Sequence, residues 1–218
     1  MSEQVWGIVV AAGLGQRFGG AKQFESLAGR PVHEWAIESA RSVATGIVLV
    51  VPAGREDDAD LLAVADRVVA GGDTRAASVR AGLAAVPPDA SIVVVHDAAR
   101  PLASAELFRV VVDAVTRGAE AAIPGVPVSD TIKRVAGAVV RETVDRADLV
   151  HVQTPQAFRA PALREGHASG PEATDDAGVI EALGGLVVCV PGEDGNIKLT
   201  TPEDLTFLEW RLRSASAF

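Results

Sequence analysis

Six short apolar runs, almost unbroken in valine, isoleucine and alanine, recur between segments of helical periodicity. They occupy residues 5–10, 47–51, 67–69, 92–96, 121–124 and 186–190. Strands without polar alternation are buried on both faces, the pattern of a mostly parallel sheet covered by helices on both sides. The intervening segments supply those helices. After Pro31, the residues Val32, Trp35, Ala36, Ser39, Ala40 and Val43 share one face. Ala76, Val79, Leu83 and Val86 stay in register over 75–85, and Leu107, Val110, Val111 and Ala114 over 105–116. Thr201, Pro202, Glu203 and Asp204 form a strong helix start: a cap, a proline at the first helical position and acids at the positive dipole end. This βα alternation predicts an α/β fold, a three-layer doubly wound sheet in a single domain over 1–218, with its site beyond the carboxyl ends of the strands.

One segment departs from the rhythm. Residues 128–146 read VSDTIKRVAGAVVRETVDR, with β-branched residues on both sides of an Ala136-Gly137 turn signal. It predicts a protruding β-hairpin arm that meets a second subunit; an ordinary edge hairpin is the plainer alternative.

The chain has 218 residues, of which 48% are hydrophobic, enough for a sizeable core. The net charge of −9 argues against nucleic-acid binding through bulk charge. The lone cysteine, Cys189, lies in the apolar run GLVVCV and reads as a buried core thiol in a reducing compartment. No targeting pattern precedes Val5, and no apolar run approaches the roughly 20 residues that span a bilayer. A cytoplasmic protein with no membrane partner is expected.

The first strand runs into a glycine-rich loop, AAGLGQRFGGAKQF, which holds Gly13, Gly15, Gly19 and Gly20 and carries Arg17 and Lys22. Glycines let backbone N–H groups approach a phosphate, and the two cations extend that anion site to a polyphosphate. Gly13-Leu14-Gly15 loosely matches a dinucleotide fingerprint. That reading requires an acid ending the second strand, and Pro52-Ala53-Gly54-Arg55 stands there instead. Asp97 ends a buried strand in VVVHDAARP; it reads as a Mg²⁺ ligand or as a turn cap. Arg100 reads as a substrate-phosphate ligand or a surface cation, and His96 as a structural or a catalytic histidine. Gly72, Asp73 and Ser78, in GGDTRAASV, suit contacts to a base and ribose, or simple capping. Lys198, between Ile197 and Leu199, reads as a site cation or a solvated charge. Thr154-Pro155-Gln156 and Thr174-Asp175-Asp176 are polar knots, each a turn or a site wall.

Together these motifs resemble the 2-C-methyl-D-erythritol 4-phosphate cytidylyltransferase family. AAGLGQRFGGAKQF, GGDTRAASV, VVVHDAARP, VSDTIKR, TVDR, QTPQAF, TDDAG and NIKLTTPEDL occur in the family's order over nearly the whole chain. The resemblance implies a Rossmann-like nucleotidyltransferase fold and a Mg²⁺-dependent transfer from CTP to methylerythritol 4-phosphate. It implies that Arg17, Lys22 and Lys198 stabilise the reacting phosphates. It further implies that Ala11, Ala12, Gly13, Gly15, Gly72, Asp73 and Ser78 bind the nucleotide. Asp97, Arg100, Thr131, Arg146 and Thr154 would surround the sugar phosphate, with Asp97 also at the metal. It implies a homodimer in which Thr131 and Arg146 act in the partner's site. Ribitol-5-phosphate cytidylyltransferase shares the loop and the chemistry, but the Asp97-Ala98-Ala99-Arg100 run with TVDR leans to methylerythritol phosphate. Arg17, Lys22, Asp97 and Lys198 together oppose a catalytically silent nucleotide-binding protein.

Overall fold

The computed structural model describes residues 3–169 and 175–215; Thr174 lies outside them. Four strands, β1 (Val5–Val10), β4 (Gly46–Val51), β5 (Arg67–Ala70) and β6 (Ile92–Asp97), run parallel in the order β6-β1-β4-β5. Their carboxyl ends therefore lie on one edge. Every residue of β4 and β6 is buried, as their unbroken apolar runs predict. A two-stranded ribbon, β2 (Ser26–Leu27) and β3 (Arg30–Pro31), follows the glycine loop.

Helices cover both faces. The helices α1 (Val32–Arg41), α2 (Ala59–Val64) and α4 (Ala105–Thr116) pack Ile37, Leu61, Leu107 and Phe108 on one side. On the other, α3 (Arg75–Ala85), α5 (Ala160–Ser169) and α6 (Asp176–Ala182) supply Val79, Leu83, Leu163 and Ile180. The result is the expected three-layer α/β architecture. Gly82 sets the approach of α3: a Cβ there would lie 2.7 Å from Ile8 Cγ2 and 2.9 Å from Val50 Cγ2. The close approach carries the start of α3 to the carboxyl edge of the sheet. The last helix, α7 (Pro202–Ala215), begins where the sequence signal places it. Asp204 accepts the Thr200 and Thr201 backbone N–H groups, both at 2.8 Å.

The other half of the sheet is mixed. Strand β7 (Ala121–Pro127) takes β12 (Val187–Pro191) in parallel on one edge. On its other edge lie β10 (Val150–Val152) and β11 (Gln156–Arg159), both antiparallel to it. β11 sits between β7 and β6 and joins the two halves. β10 and β11 fall in segments with no strand pattern of their own. Cys189 corrects the sequence reading. Its thiol is exposed, because β12 is an edge strand that packs Val188 and Val190 inward and leaves the residue between them outside.

The arm is present as β8 (Ile132–Ala136) and β9 (Val139–Val144). The turn is one residue later than the dipeptide signal: Ala136 pairs with Val139, and Gly137 (φ 58°) and Ala138 make the reversal. Val135, Val139 and Val140 are more than half exposed. Among the described residues no helix is long and apolar enough to cross a membrane.

Candidate active site

The carboxyl ends of β1, β4, β5 and β6 open into a cleft of about 800 Å³. Ala11, Ala12, Gly13, Gly15, Arg17, Lys22, Gly72, Asp73, Ser78, Asp97 and Lys198 all line it. Segments spread over almost 190 residues thus converge on one concavity, as the doubly wound topology requires.

The glycine loop is tightly built. Gly15 sits at φ 63°, and a Cβ on it would fall 1.7 Å from the Gly20 carbonyl oxygen. The Gly15 carbonyl accepts the N–H groups of Phe18 (2.8 Å) and Gly19 (3.0 Å). Buried Gln23 braces the loop from beneath. Its Nε2 donates to Ala11 O (2.6 Å) and Gly13 O (3.0 Å), and its own carbonyl accepts from His33 Nδ1 (2.9 Å). Ala11 N–H is used on Val50 O at 2.7 Å. The Ala11 backbone is therefore committed within the fold, and Ala12 and Gly13 present the adjoining cleft wall.

Opposite the loop, Thr74 caps α3 by accepting Ala77 N–H (3.0 Å). Ser78 is buried; its hydroxyl accepts Gly72 N–H (3.2 Å) and donates to Thr74 O (3.0 Å). Ser78 thus shapes the Gly71-Gly72-Asp73 turn, whose Asp73 is exposed to the cleft.

Asp97 forms the floor. Its Oδ2 accepts from Lys198 Nζ at 2.6 Å, and its Oδ1 accepts from Arg75 Nε at 3.1 Å. Burial alone would raise its pKa, but Arg75 and then Lys198 outweigh burial and hold the carboxyl well below the usual range. It is a carboxylate throughout the physiological range. For Lys22, burial and then the Lys198 and Arg17 charges lower the pKa, with Asp97 and Asp204 opposing. Lys198 is paired with Asp97, whereas Lys22 and Arg17 form no ion pair among the described residues, and a polyanion in the cleft would meet their charge.

Two expected substrate ligands, Thr154 and Arg100, do not line this cleft. Thr154 is buried beneath Asp97 and does not line the cleft: its Oγ1 accepts Asp97 N–H (3.0 Å) and donates to His96 Nδ1 (3.2 Å). Its hydroxyl holds the backbone of the site. Arg100 is half-buried behind Asp97, where its Nη1 donates to Asn196 O (2.7 Å) and its buried Nε has no partner. Burial lowers the Arg100 pKa, Asp97 opposing. His96 is wholly buried and structural. Its Nε2–H donates to Arg100 O (3.1 Å), and burial pushes its pKa down to about 4. Thr131 and Arg146 are exposed at the base of the arm, outside the cleft of their own chain, with Arg146 Nη1 donating to Ser129 O.

Two residues of the site are not singled out by sequence. Gln23 braces the loop, and Arg75 bridges Asp97 to Asp176, which accepts from Arg75 Nη1 at 2.7 Å. The signal for Arg75 is its place at the first position of a helix, where a cation opposes the macrodipole and so calls for a specific anion.

The chain matches the family model for IspD, 2-C-methyl-D-erythritol 4-phosphate cytidylyltransferase, over residues 5–214. A 2-C-methyl-D-erythritol 4-phosphate cytidylyltransferase of Frankia casuarinae is 46% identical over 95% of this chain and 81% of its own length. A bifunctional enzyme IspD/IspF of Anaeromyxobacter dehalogenans is 45% identical over 93% of this chain. The chain spans 55% of that protein's length, and 58% of the bifunctional relative from Nitratidesulfovibrio vulgaris. Among solved structures, the 2-C-methyl-D-erythritol 4-phosphate cytidylyltransferase of Thermus thermophilus matches with TM-score 0.82 at 36% identity, over 98% of this chain and 100% of that one. The 4-diphosphocytidyl-2C-methyl-D-erythritol synthase of Anaerococcus prevotii matches with TM-score 0.84 at 33% identity, over 97% and 99%.

Proposed function

The chain belongs to the 2-C-methyl-D-erythritol 4-phosphate cytidylyltransferase family, and we propose that it transfers the cytidylyl group of CTP to 2-C-methyl-D-erythritol 4-phosphate in non-mevalonate isoprenoid precursor biosynthesis. The observation that carries this reading is the convergence of Arg17, Lys22, Lys198 and Asp97 on one cleft beside a glycine loop.

In this reaction a phosphate oxygen of methylerythritol phosphate attacks the α-phosphorus of CTP. The new P–O bond gives 4-diphosphocytidyl-methylerythritol, and the bond to the β-phosphate breaks to release pyrophosphate. The attacking phosphate is already ionised, so no strong general base is required. Catalysis is positioning and charge stabilisation. Lys22 and Arg17 meet the charge that develops on the α-phosphate and the leaving pyrophosphate, and Lys198 meets it from the Asp97 side. Gly72, Asp73 and the Ala12 edge face the cytosine and ribose.

Mg²⁺ fits the donor set. It is commonly held by one or two carboxylates together with substrate phosphates, and Asp97 is a cleft carboxylate kept ionised by its neighbours. When bound, the ion neutralises charge on the triphosphate oxygens.

The same reading makes the protein a cytoplasmic homodimer. The exposed Val135, Val139 and Val140 on the arm call for cover. Thr131 and Arg146, outside their own cleft, would complete the sugar-phosphate end of a partner's.

The test is pyrophosphate release by the purified protein with CTP and Mg²⁺, methylerythritol 4-phosphate being compared with ribitol 5-phosphate. A preference of roughly 100-fold in kcat/KM for the former, about 2.7 kcal/mol of differential transition-state binding, is expected. The reverse preference assigns polyol-phosphate activation, and no release with either refutes the transferase reading.

A further inference from the structure

We propose that His167 and Asp176, outside the cleft, act through Arg75 on its wall as a positioning relay that fixes the orientation of the Asp97 carboxylate. The proposal rests on the reading of Asp97 as a residue of the cytidylyltransferase centre.

The Arg75 guanidinium joins two carboxylates through different nitrogens. Nε donates to Asp97 Oδ1 at 3.1 Å and Nη1 donates to Asp176 Oδ2 at 2.7 Å. The second oxygen of Asp176 is held by His167 Nε2 at 3.0 Å. The His167 and Asp176 side chains are 4% and 2% exposed, and neither lines the cleft. Among the described residues, Arg75 is what links them to Asp97. A carboxylate as deeply buried as Asp176 is costly unless each oxygen is partnered; here each has one.

The geometry gives the chain of contacts a direction. The Asp97 backbone is fixed from below by Thr154, and its Oδ1 is fixed from the side by Arg75. Oδ2 is thereby turned to Lys198 and the cleft. A guanidinium is planar and presents its donors in a rigid fork, so fixing Nη1 on Asp176 also fixes the direction of Nε. Lysine has one donor centre and cannot transmit that orientation. Without the Asp176 charge, the guanidinium answers only to Asp97 and turns with it, and the carboxylate loses its preferred direction.

Steady-state kinetics of D176N, R75K, H167Q, D97N and the D97N/D176N double variant test the relay, with melting temperatures to correct for folded fraction. D176N and R75K should each lower kcat about 10-fold and leave KM for CTP within about twofold. Because Asp176 acts through Asp97, the double variant should match D97N within about twofold, the non-additivity of one coupled unit. A D176N enzyme with wild-type kcat, or a double variant whose loss is the product of the two single losses, overturns the relay. If D176N folds poorly, H167Q carries the kinetic test, with a smaller fall in kcat at unchanged KM expected and wild-type kcat refuting. A measurement without substrate separates this from the functional reading. The ¹H–¹⁵N signal of Arg75 Nε, assigned by its loss in R75K, should be protected from exchange in the wild type and lose that protection in D176N or H167Q. Unaltered protection in both overturns the relay even if the wild type turns over neither sugar phosphate.

Discussion

Lys198 and Asp97, 101 residues apart in the chain, meet at 2.6 Å across the floor of the cleft. The pair neutralises Lys198, one of the four cations that line the cleft. Lys22 forms no ion pair among the described residues, and burial with Lys198 and Arg17 lowers its pKa. Lys22→Ala is therefore expected to lower kcat by roughly 10²–10³, the scale for removing one preorganised transition-state donor. The fold should be intact, because the Lys22 side chain lines the open cleft and belongs to no core cluster. Pyrophosphate release measured against melting temperature checks this, and unchanged turnover removes Lys22 from the mechanism.

Gly15→Ala should cripple nucleotide binding. The residue occupies a left-handed backbone conformation, and its Cβ would overlap the Gly20 carbonyl. The loop must open to accept it, since strain of this kind costs of order 1–3 kcal/mol at a fixed site. CTP affinity measured by calorimetry should fall at least about 10-fold, with only a small change in melting temperature because the loop lies on the surface. Wild-type affinity would mean that the loop conformation is not what holds the nucleotide.

The arm makes a separable prediction. Val135 pairs with Val140 across the hairpin, and both side chains are exposed. The double variant Val135→Asp/Val140→Asp puts two carboxylates on that surface while leaving the buried cores untouched. If the arm is the contact, sedimentation should show a dimer for the wild type and a monomer for the double variant. On the proposed dimer, activity should fall with it, because Thr131 and Arg146 would no longer reach a second cleft. A dimeric and fully active double variant would refute the arm as the contact.

The residues that carry the fold are legible where local chemistry decides structure. The runs that form β1, β4 and β6 are apolar on both faces, and α3 and α4 carry clear stripes, so their positions follow from the chain itself. β11 does not announce itself. QAFR holds one glutamine and one arginine, and it is a strand only because β6 and β7 leave a gap that it fills. The same division applies to the site. The glycine loop, Asp97 and Lys198 stand in distinctive motifs, whereas the functions of Thr154 and Arg75 are set by contacts 57 and 22 residues distant in sequence. Thr154 stands in a polar knot that suits a substrate ligand, and the fold turns its hydroxyl inward.

His96 predicts a specific acid sensitivity. A backbone carbonyl only accepts, so the His96 proton is on Nε2, facing Arg100 O, and Nδ1 accepts from the Thr154 hydroxyl. Burial depresses the folded pKa to about 4, below the unfolded value of about 6.5. Between those values the unfolded chain binds the extra proton, so stability is full above about pH 6.5 and is lost as pH falls toward 4. The His96 share is up to about 3 kcal/mol, at about 1.36 kcal/mol per pKa difference of one. His33, also lowered by burial, adds a loss of the same sign. Asp97 does not enter this window, because its folded pKa is depressed and its contribution fades only below the unfolded carboxylate value near pH 4. Urea unfolding of the wild type and His96→Gln at about pH 7.5, 5.5 and 4 isolates the effect, since the variant keeps His33 and Asp97. The variant should start less stable at the highest pH and lose less on acidification, narrowing the gap by up to about 3 kcal/mol. Parallel acid losses in the two proteins would show that His96 takes up its proton in the folded state as readily as in the unfolded chain, and that the Thr154 hydroxyl does not depend on a neutral ring.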